Sequence, residues 1–180
     1  MKFKVFNLEQ VNWEIVYDHF FIAESKKWFE SFGAKQKIKY MSTTKRQFMN
    51  CIQWHSGTLK VEDLLQLYIH PSAGWLKQLS CHHKVIPCSD CKGDKRTFKD
   101  FSENYEKYIG KSDLNGERKL NRLKQLATVD LLHNPRIIIL AGKKGAFVLE
   151  GNSRLSAMIM AKGITGWTIP IFFGETIIKY

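Results

Sequence analysis

Acidic side chains are scarce in this sequence. Only 17 Asp and Glu stand against 28 Lys and Arg among 180 residues, a net charge of +11 at neutral pH, and between Glu30 and Glu62 there is no acid at all. An imbalance of this size favours a polyanionic partner, such as nucleic acid, a nucleotide or an anionic membrane face; it bears on association and leaves the fold open. Long apolar runs are missing too: none approaches the ~18 residues of a membrane-spanning helix. The opening Met1-Lys2-Phe3-Lys4-Val5-Phe6 meets Glu9, Glu14 and Asp18 before a signal-peptide core forms. The expectation is a soluble, cytoplasmic chain with no membrane partner. Cysteine is absent after Cys91, and the four present, at 51, 81, 88 and 91, read in such a compartment as thiols or metal ligands rather than disulfides. Internal repeats and low-complexity tracts are also absent, so nothing points to a repeat architecture.

Core-forming material is plentiful. With 44% hydrophobic and 13% aromatic residues, a chain of this length can remove roughly 70% of its unfolded surface from water. Intrinsic disorder is excluded on that ground, and the length favours one domain, or one domain with an elaboration.

Along the chain, Asn7 and Gln10 read as a capping pair opening a long helix, with Trp13, Val16, Tyr17, Phe20 and Trp28 on one face and Gly33 as its stop. Lys35, Lys37 and Lys39 alternate with Gln36, Ile38 and Tyr40, the pattern of a strand with three ammoniums on one face. Such a strand is either a polyanion-binding face or an edge guarded by lysines against sheet pairing. Thr58 to Val61 suits a short strand and Glu62 to Ile69 a short helix, ended by His70-Pro71-Ser72. Thr97 caps a helix bearing Phe98, Phe101, Tyr105 and Tyr108 or Ile109, closed by Gly110. Asp113 opens another helix with Leu120, Leu123, Ala127 and Leu131 as its buried stripe, and Arg118 and Arg122 one turn apart elsewhere. After Asn134-Pro135 the rhythm changes: Ile137 to Leu140 and Ala146 to Leu149 form a hairpin about Gly142-Lys143-Lys144-Gly145. A helix from Arg154 to Lys162 and a strand from Trp167 to Phe173 follow.

The junction Glu150-Gly151-Asn152-Ser153-Arg154 has the local design of an anion site. Gly151 permits close backbone approach, first-turn N–H groups and the helix dipole favour negative charge, Asn152 or Ser153 adds a polar contact, and Arg154 offers a two-pronged grip on phosphate. The same residues equally describe an ordinary turn and N-cap. Glu150, the best-placed carboxylate, is the candidate catalytic residue, to orient a nucleophile or hold Mg²⁺, with a hydrogen-bonded strand end as the alternative.

The order of these elements, from Pro135-Arg136-Ile137-Ile138-Ile139-Leu140 through Phe147-Val148-Leu149-Glu150-Gly151-Asn152-Ser153-Arg154-Leu155-Ser156-Ala157 to Ile169-Pro170-Ile171, resembles the ParB/sulfiredoxin superfamily. That superfamily carries a G-x-x-R motif at a strand end leading into a helix; Gly151 and Arg154 match its fixed positions. The likeness covers about residues 114–173 and extends toward Thr58 if Leu59 to Leu64 and His70-Pro71 are the first strand and proline loop, which makes Glu62, Asp63 and His70 secondary site candidates. It implies an α+β fold, a small mixed β-sheet flanked by helices, over residues 58–180 with an insertion at about 81–110. Residues 1–57 become a helical and basic N-terminal extension. It further implies a nucleotide such as ATP, with or without Mg²⁺, as ligand, and an ATPase, nucleotide-dependent phosphotransferase or nuclease role in a DNA-related setting. Sulfiredoxin chemistry is not expected, because Asn152 stands where that enzyme needs a cysteine. The partition role is not expected either, since the loop is not Gly-Glu-Arg-Arg and no helix-turn-helix follows.

Two other readings stand beside this one. Lys35, Lys37, Lys39, Lys45, Arg46, Arg118, Arg122, Lys143 and Lys144 are candidate nucleic-acid contacts for a non-catalytic DNA- or RNA-binding protein, and an accessory interaction protein that kept the fold without activity is the third. Cys81, His83, Cys88 and Cys91 hold enough sulfur and nitrogen for a tetrahedral Zn²⁺ site, against free thiols in a loop.

Overall fold

The run Ile137-Ile138-Ile139-Leu140 is buried along its whole length, as a strand covered on both faces must be. It belongs to β4 (Ile137–Gly142), near the middle of a six-stranded mixed sheet. The computed structural model describes residues 4–29, 32–71, 73–83, 95–110, 115–128, 136–143, 145–161 and 166–176. The other strands are β1 (Phe6–Val11), β2 (Cys51–Lys60), β3 (Tyr68–Ile69), β5 (Gly145–Glu150) and β6 (Thr168–Thr176), in the order β1-β2-β6-β4-β5-β3. β4 is parallel to β6 and β3 to β5, and the remaining pairs are antiparallel. The helices are α1 (Trp13–Phe29), α2 (Ala34–Met49), α3 (Val61–Leu64), α4 (Gly74–Leu79), α5 (Phe98–Asn104), α6 (Asn115–Thr128) and α7 (Asn152–Ala161).

Alternation along β4 divides the core in two. Ile137 and Ile139 join Leu59, Val148, Ile169 and Ile171 on the face covered by α3 to α7. Ile138 and Leu140 join Trp54 and Phe172 on the other, beneath Val16 and Phe20 of α1 and Phe48 of α2. The expected α+β class, a mixed sheet flanked by helices, is what the structure shows. The hairpin is as read, with Gly142 opposite Gly145. Thr97 caps α5 in a reciprocal box: Asp100 N–H donates to Thr97 Oγ1 at 3.2 Å and Thr97 N–H to Asp100 Oδ2 at 2.7 Å. Phe98, Phe101, Tyr105 and Tyr108 are buried behind it, as are Leu120 and Leu123 of α6. The expected start at Asp113 and the Ala127 and Leu131 side chains lie outside the described residues.

Four local expectations are corrected. Asn7 is no cap: it lies in β1 with φ +52°, a left-handed conformation Asn tolerates, where the pairing to β2 slips between Phe6 and Glu9. The Lys35 to Tyr40 alternation is helix, not strand. It is embedded in sixteen residues rich in Ala, Lys, Gln, Met and Arg, whose helix propensity outweighs a short alternating stretch. The strand expected at Thr58 begins at Cys51, so residues 57 and 58 are neighbours within β2, which pairs with β1 on one side and β6 on the other. The helix expected to reach Ile69 stops at Leu64. The Leu65 and Leu67 carbonyls accept instead from Lys99 and Phe98 N–H at the start of α5, at 2.8 and 3.1 Å, and Tyr68-Ile69 becomes β3.

Trp54 fastens the α2 side of the sheet. Its ring stacks on Phe48, with centroids 5.3 Å apart, and Nε1–H donates to the Phe48 carbonyl at 2.9 Å. Opposite it in β6 is Gly174, where a Cβ would come within 2.7 Å of the indole. Because the indole is held on its other side, Gly174→Ala is expected to destabilise the fold by about 1–3 kcal/mol through overpacking. Urea denaturation measures this, and an unchanged midpoint would contradict it.

Candidate functional site

The end of β5 is set by a bulge. Val148 lies opposite Ile139 and Glu150 opposite Ile138, leaving Leu149 without a partner of its own. Strict alternation from Val148 would place Glu150 on the α3–α7 face. The extra residue instead puts it on the face of Ile138, the one covered by α1. Gly151 follows with φ +94°, so a side chain there is strained by conformation, and its Cβ would also come within 3.1 Å of Ile137 Cγ1.

That turn starts α7 at once. Leu155 N–H donates to the Gly151 carbonyl at 2.8 Å, the first bond of the helical ladder, so the Asn152, Ser153 and Arg154 N–H groups precede the point where intrahelical acceptors exist. Asn152 folds back, Nδ2 donating to the Val148 carbonyl at 3.1 Å, while its Oδ1 is buried without a hydrogen-bond partner among the described residues. Ser153 is exposed. Arg154 Nη2 donates to Glu150 Oε2 in an ion pair between a buried carboxylate and a guanidinium whose side chain is 20% exposed. This leaves Glu150 holding the arginine one turn ahead of it.

Two residues complete the cluster. Arg136 immediately precedes β4, whose start lies beside the end of β5 because the two are antiparallel, and its guanidinium is 4.7 Å from the Phe172 ring centre. His19 of α1 meets the same ring edge-on at 5.3 Å. Burial, then the positive charges of Arg154 and Arg136, hold the His19 imidazole below its ordinary 6.5, partly offset by a hydrogen bond to the Arg136 backbone. Its Nε2 is buried and unpartnered among the described residues, so that bond belongs to Nδ1. Glu150 pairs with Arg154, while Arg154 and Arg136 both act on a neutral His19 imidazole, so these four side chains carry net positive charge.

The sequence pattern offers Glu150 to Arg154 as the candidate site and leaves Arg136 and His19 outside it. Arg136 was accessible through the hairpin register, which places the residue before β4 next to the end of β5. Nothing local marked His19, which is brought in by α1 packing across the sheet. Of the secondary candidates, His70 leaves the sheet just after Ile69, opposite Val148 in parallel register, and so at the same end as Gly151. Burial, then the Lys77 charge, lowers its pKa. Glu62 accepts the Gly166 N–H at 2.6 Å, a bond that holds its carboxyl below the usual range, and Asp63 lies beside it in α3.

The nine candidate nucleic-acid contacts do not share one surface. Lys35, Lys37, Lys39, Lys45 and Arg46 are on α2, on the His19 side of the sheet; Arg118 and Arg122 are on α6, whose Leu120 and Leu123 pack on the opposite face. Lys143 is exposed in the hairpin turn and Lys144 lies outside the described residues. Of the zinc set, Cys81 is buried with Sγ 3.2 Å from His83 Nδ1, and Cys88 and Cys91 lie outside the described residues. Among the described residues no helix is long and apolar enough to cross a membrane.

Comparison with protein families, curated proteins and solved structures found no match to the chain.

Both His19 and His70 have folded pKa values below the unfolded value of about 6.5. Between the two values the unfolded chain binds more protons, so stability rises with pH there and is lost as pH falls below about 6.5. Melting temperature is therefore expected to fall between about pH 7.5 and pH 5.5, with a shallower fall in His19→Gln. An identical pH profile in that variant would remove His19 from this account.

Proposed function

We propose that the β5–α7 junction binds the phosphate of a nucleotide, as the resemblance to the ParB/sulfiredoxin superfamily implies. One observation carries the reading. Gly151, at φ +94°, turns the chain directly from a strand into a helix whose first N–H groups lack intrahelical acceptors, beside Arg154 and Arg136. Backbone donors, a helix dipole and two guanidiniums together form a phosphate-binding arrangement.

Within that reading Glu150 is a positioning residue. Its buried carboxylate holds the Arg154 guanidinium through Nη2 and so fixes its position at the start of α7. The carboxylate is engaged by a cation, and no three His, Cys, Asp or Glu side chains converge among the described residues. A Mg²⁺ arriving with a nucleotide would be held mainly by phosphate oxygens and water, and the groups assigned to the phosphate are Arg154, Arg136 and the first N–H groups of α7. The geometry supports binding.

A thermal-shift series with ATP, ADP and AMP, with and without Mg²⁺, tests this. Ligand at about 100 times its Kd adds about 2.7 kcal/mol of stability, and the shift is expected without Mg²⁺. Arg154→Ala alone strands a buried carboxylate, which itself destabilises. The informative variant is Glu150→Gln with Arg154→Gln, expected to keep the fold and lose the shift. No shift in the parent chain, or an equal one in the double variant, would sink the proposal.

A further inference from the structure

The most strongly charged element outside this site is α2. It holds Lys35, Lys37, Lys39, Lys45 and Arg46 and no acid in sixteen residues. Helical periodicity rearranges what reads in sequence as an alternating lysine row. Lys35 and Lys37 diverge by about 200° around the axis, whereas Lys35, Lys39, Ser42 and Arg46, at offsets of four, seven and eleven, return to one stripe about 16 Å long. Lys35, Lys39, Ser42 and Arg46 are all exposed. Lys35, Lys39 and Arg46 have no carboxylate partner among the described residues. Lys45 lies beside the stripe, over the Trp13 ring at 5.4 Å.

We propose that this outer face of α2 is a nucleic-acid-binding surface that follows a phosphate backbone without reading bases. The cations meet the electrostatic requirement, and Thr43 adds a short hydroxyl on an exposed helix, while the Ser42 hydroxyl donates to the Lys39 carbonyl at 3.0 Å. A solvated helix with no such partner ordinarily intersperses acids at i+3 and i+4; α2 has none. Charge complementarity also favours nucleic acid over an anionic membrane. A membrane-surface helix buries a continuous apolar face in lipid; Phe48, buried among the described side chains of α2, is committed to Trp54, Phe20 and Tyr17 inside the protein, and the exposed Ile38 and Met49 are two apolar side chains eleven positions apart beside a cationic stripe. The proposal stands independently of the nucleotide site.

The test is fluorescence anisotropy of a labelled duplex of about 20 base pairs against the full chain between about 50 and 200 mM KCl. Lys35→Ala, Lys39→Ala and Arg46→Ala combined remove three exposed cations, and a parent-like melting curve confirms folding. The log–log salt slope is expected to fall by about 2.7, from about 0.9 per phosphate contact, with affinity at least about tenfold weaker at low salt. Arg118→Ala with Arg122→Ala, on the opposite layer, is expected to leave binding unchanged. Three results overturn the proposal: no binding by the parent, an unaltered slope in the triple variant, or binding to phosphatidylserine vesicles without binding to the duplex. Glu150→Gln with Arg154→Gln separates the two sites, since duplex binding should survive where the nucleotide shift is lost.

Discussion

The structure depends on β4 being covered on both faces. Four consecutive branched or aliphatic side chains, Ile137 to Leu140, cannot be satisfied by a single helical layer, because adjacent residues in a strand point oppositely. One helical layer covers Ile137 and Ile139, and α1 and α2 cover Ile138 and Leu140. Exposing two such side chains would forfeit about 1.5–3 kcal/mol each, a large part of the net stability of an ordinary domain. Energetically, then, the segment before residue 58 is part of the sheet's support. That requirement also brings His19 to the phosphate candidate site and turns the cations of α2 outward, since Phe48 must face the sheet.

What was legible in the sequence follows from how local each determinant is. The β4–β5 hairpin, the Thr97 cap and the β5–α7 junction are encoded by neighbours: a Gly-bounded turn between apolar runs, a Thr three residues before an Asp, a Gly between a strand and a helix. Each was recoverable from spacing alone. Lys35 to Tyr40 was misread because six alternating residues satisfy a strand template while the sixteen around them satisfy a helix, and the longer window decides. Leu65 to Ile69 was misread for a different reason. Its carbonyls are drawn to the α5 N-terminus some thirty positions away, a choice no local pattern contains. The bulge at Leu149 was likewise invisible, although it determines which face of the sheet receives Glu150.

Pairing Arg154 with Glu150 changes what the arginine can be asked to do. A lone guanidinium at a helix start would attract any anion, at the cost of a mobile side chain whose ordering opposes binding. Here a carboxylate one turn earlier fixes it, so under the proposed function a phosphate at the N-terminus of α7 would meet a donor already oriented. The same carboxylate reduces the local positive charge, and Arg136, just before β4, adds a second cation that acts on the same His19. His19 sets a further condition. Held neutral by burial and by both arginines, it fills the space between α1 and Phe172 without adding a third cation. If it were charged, it would repel the two guanidiniums assigned to the proposed phosphate site, which gives a physical reason for the N-terminal helix to place an imidazole there and not a lysine.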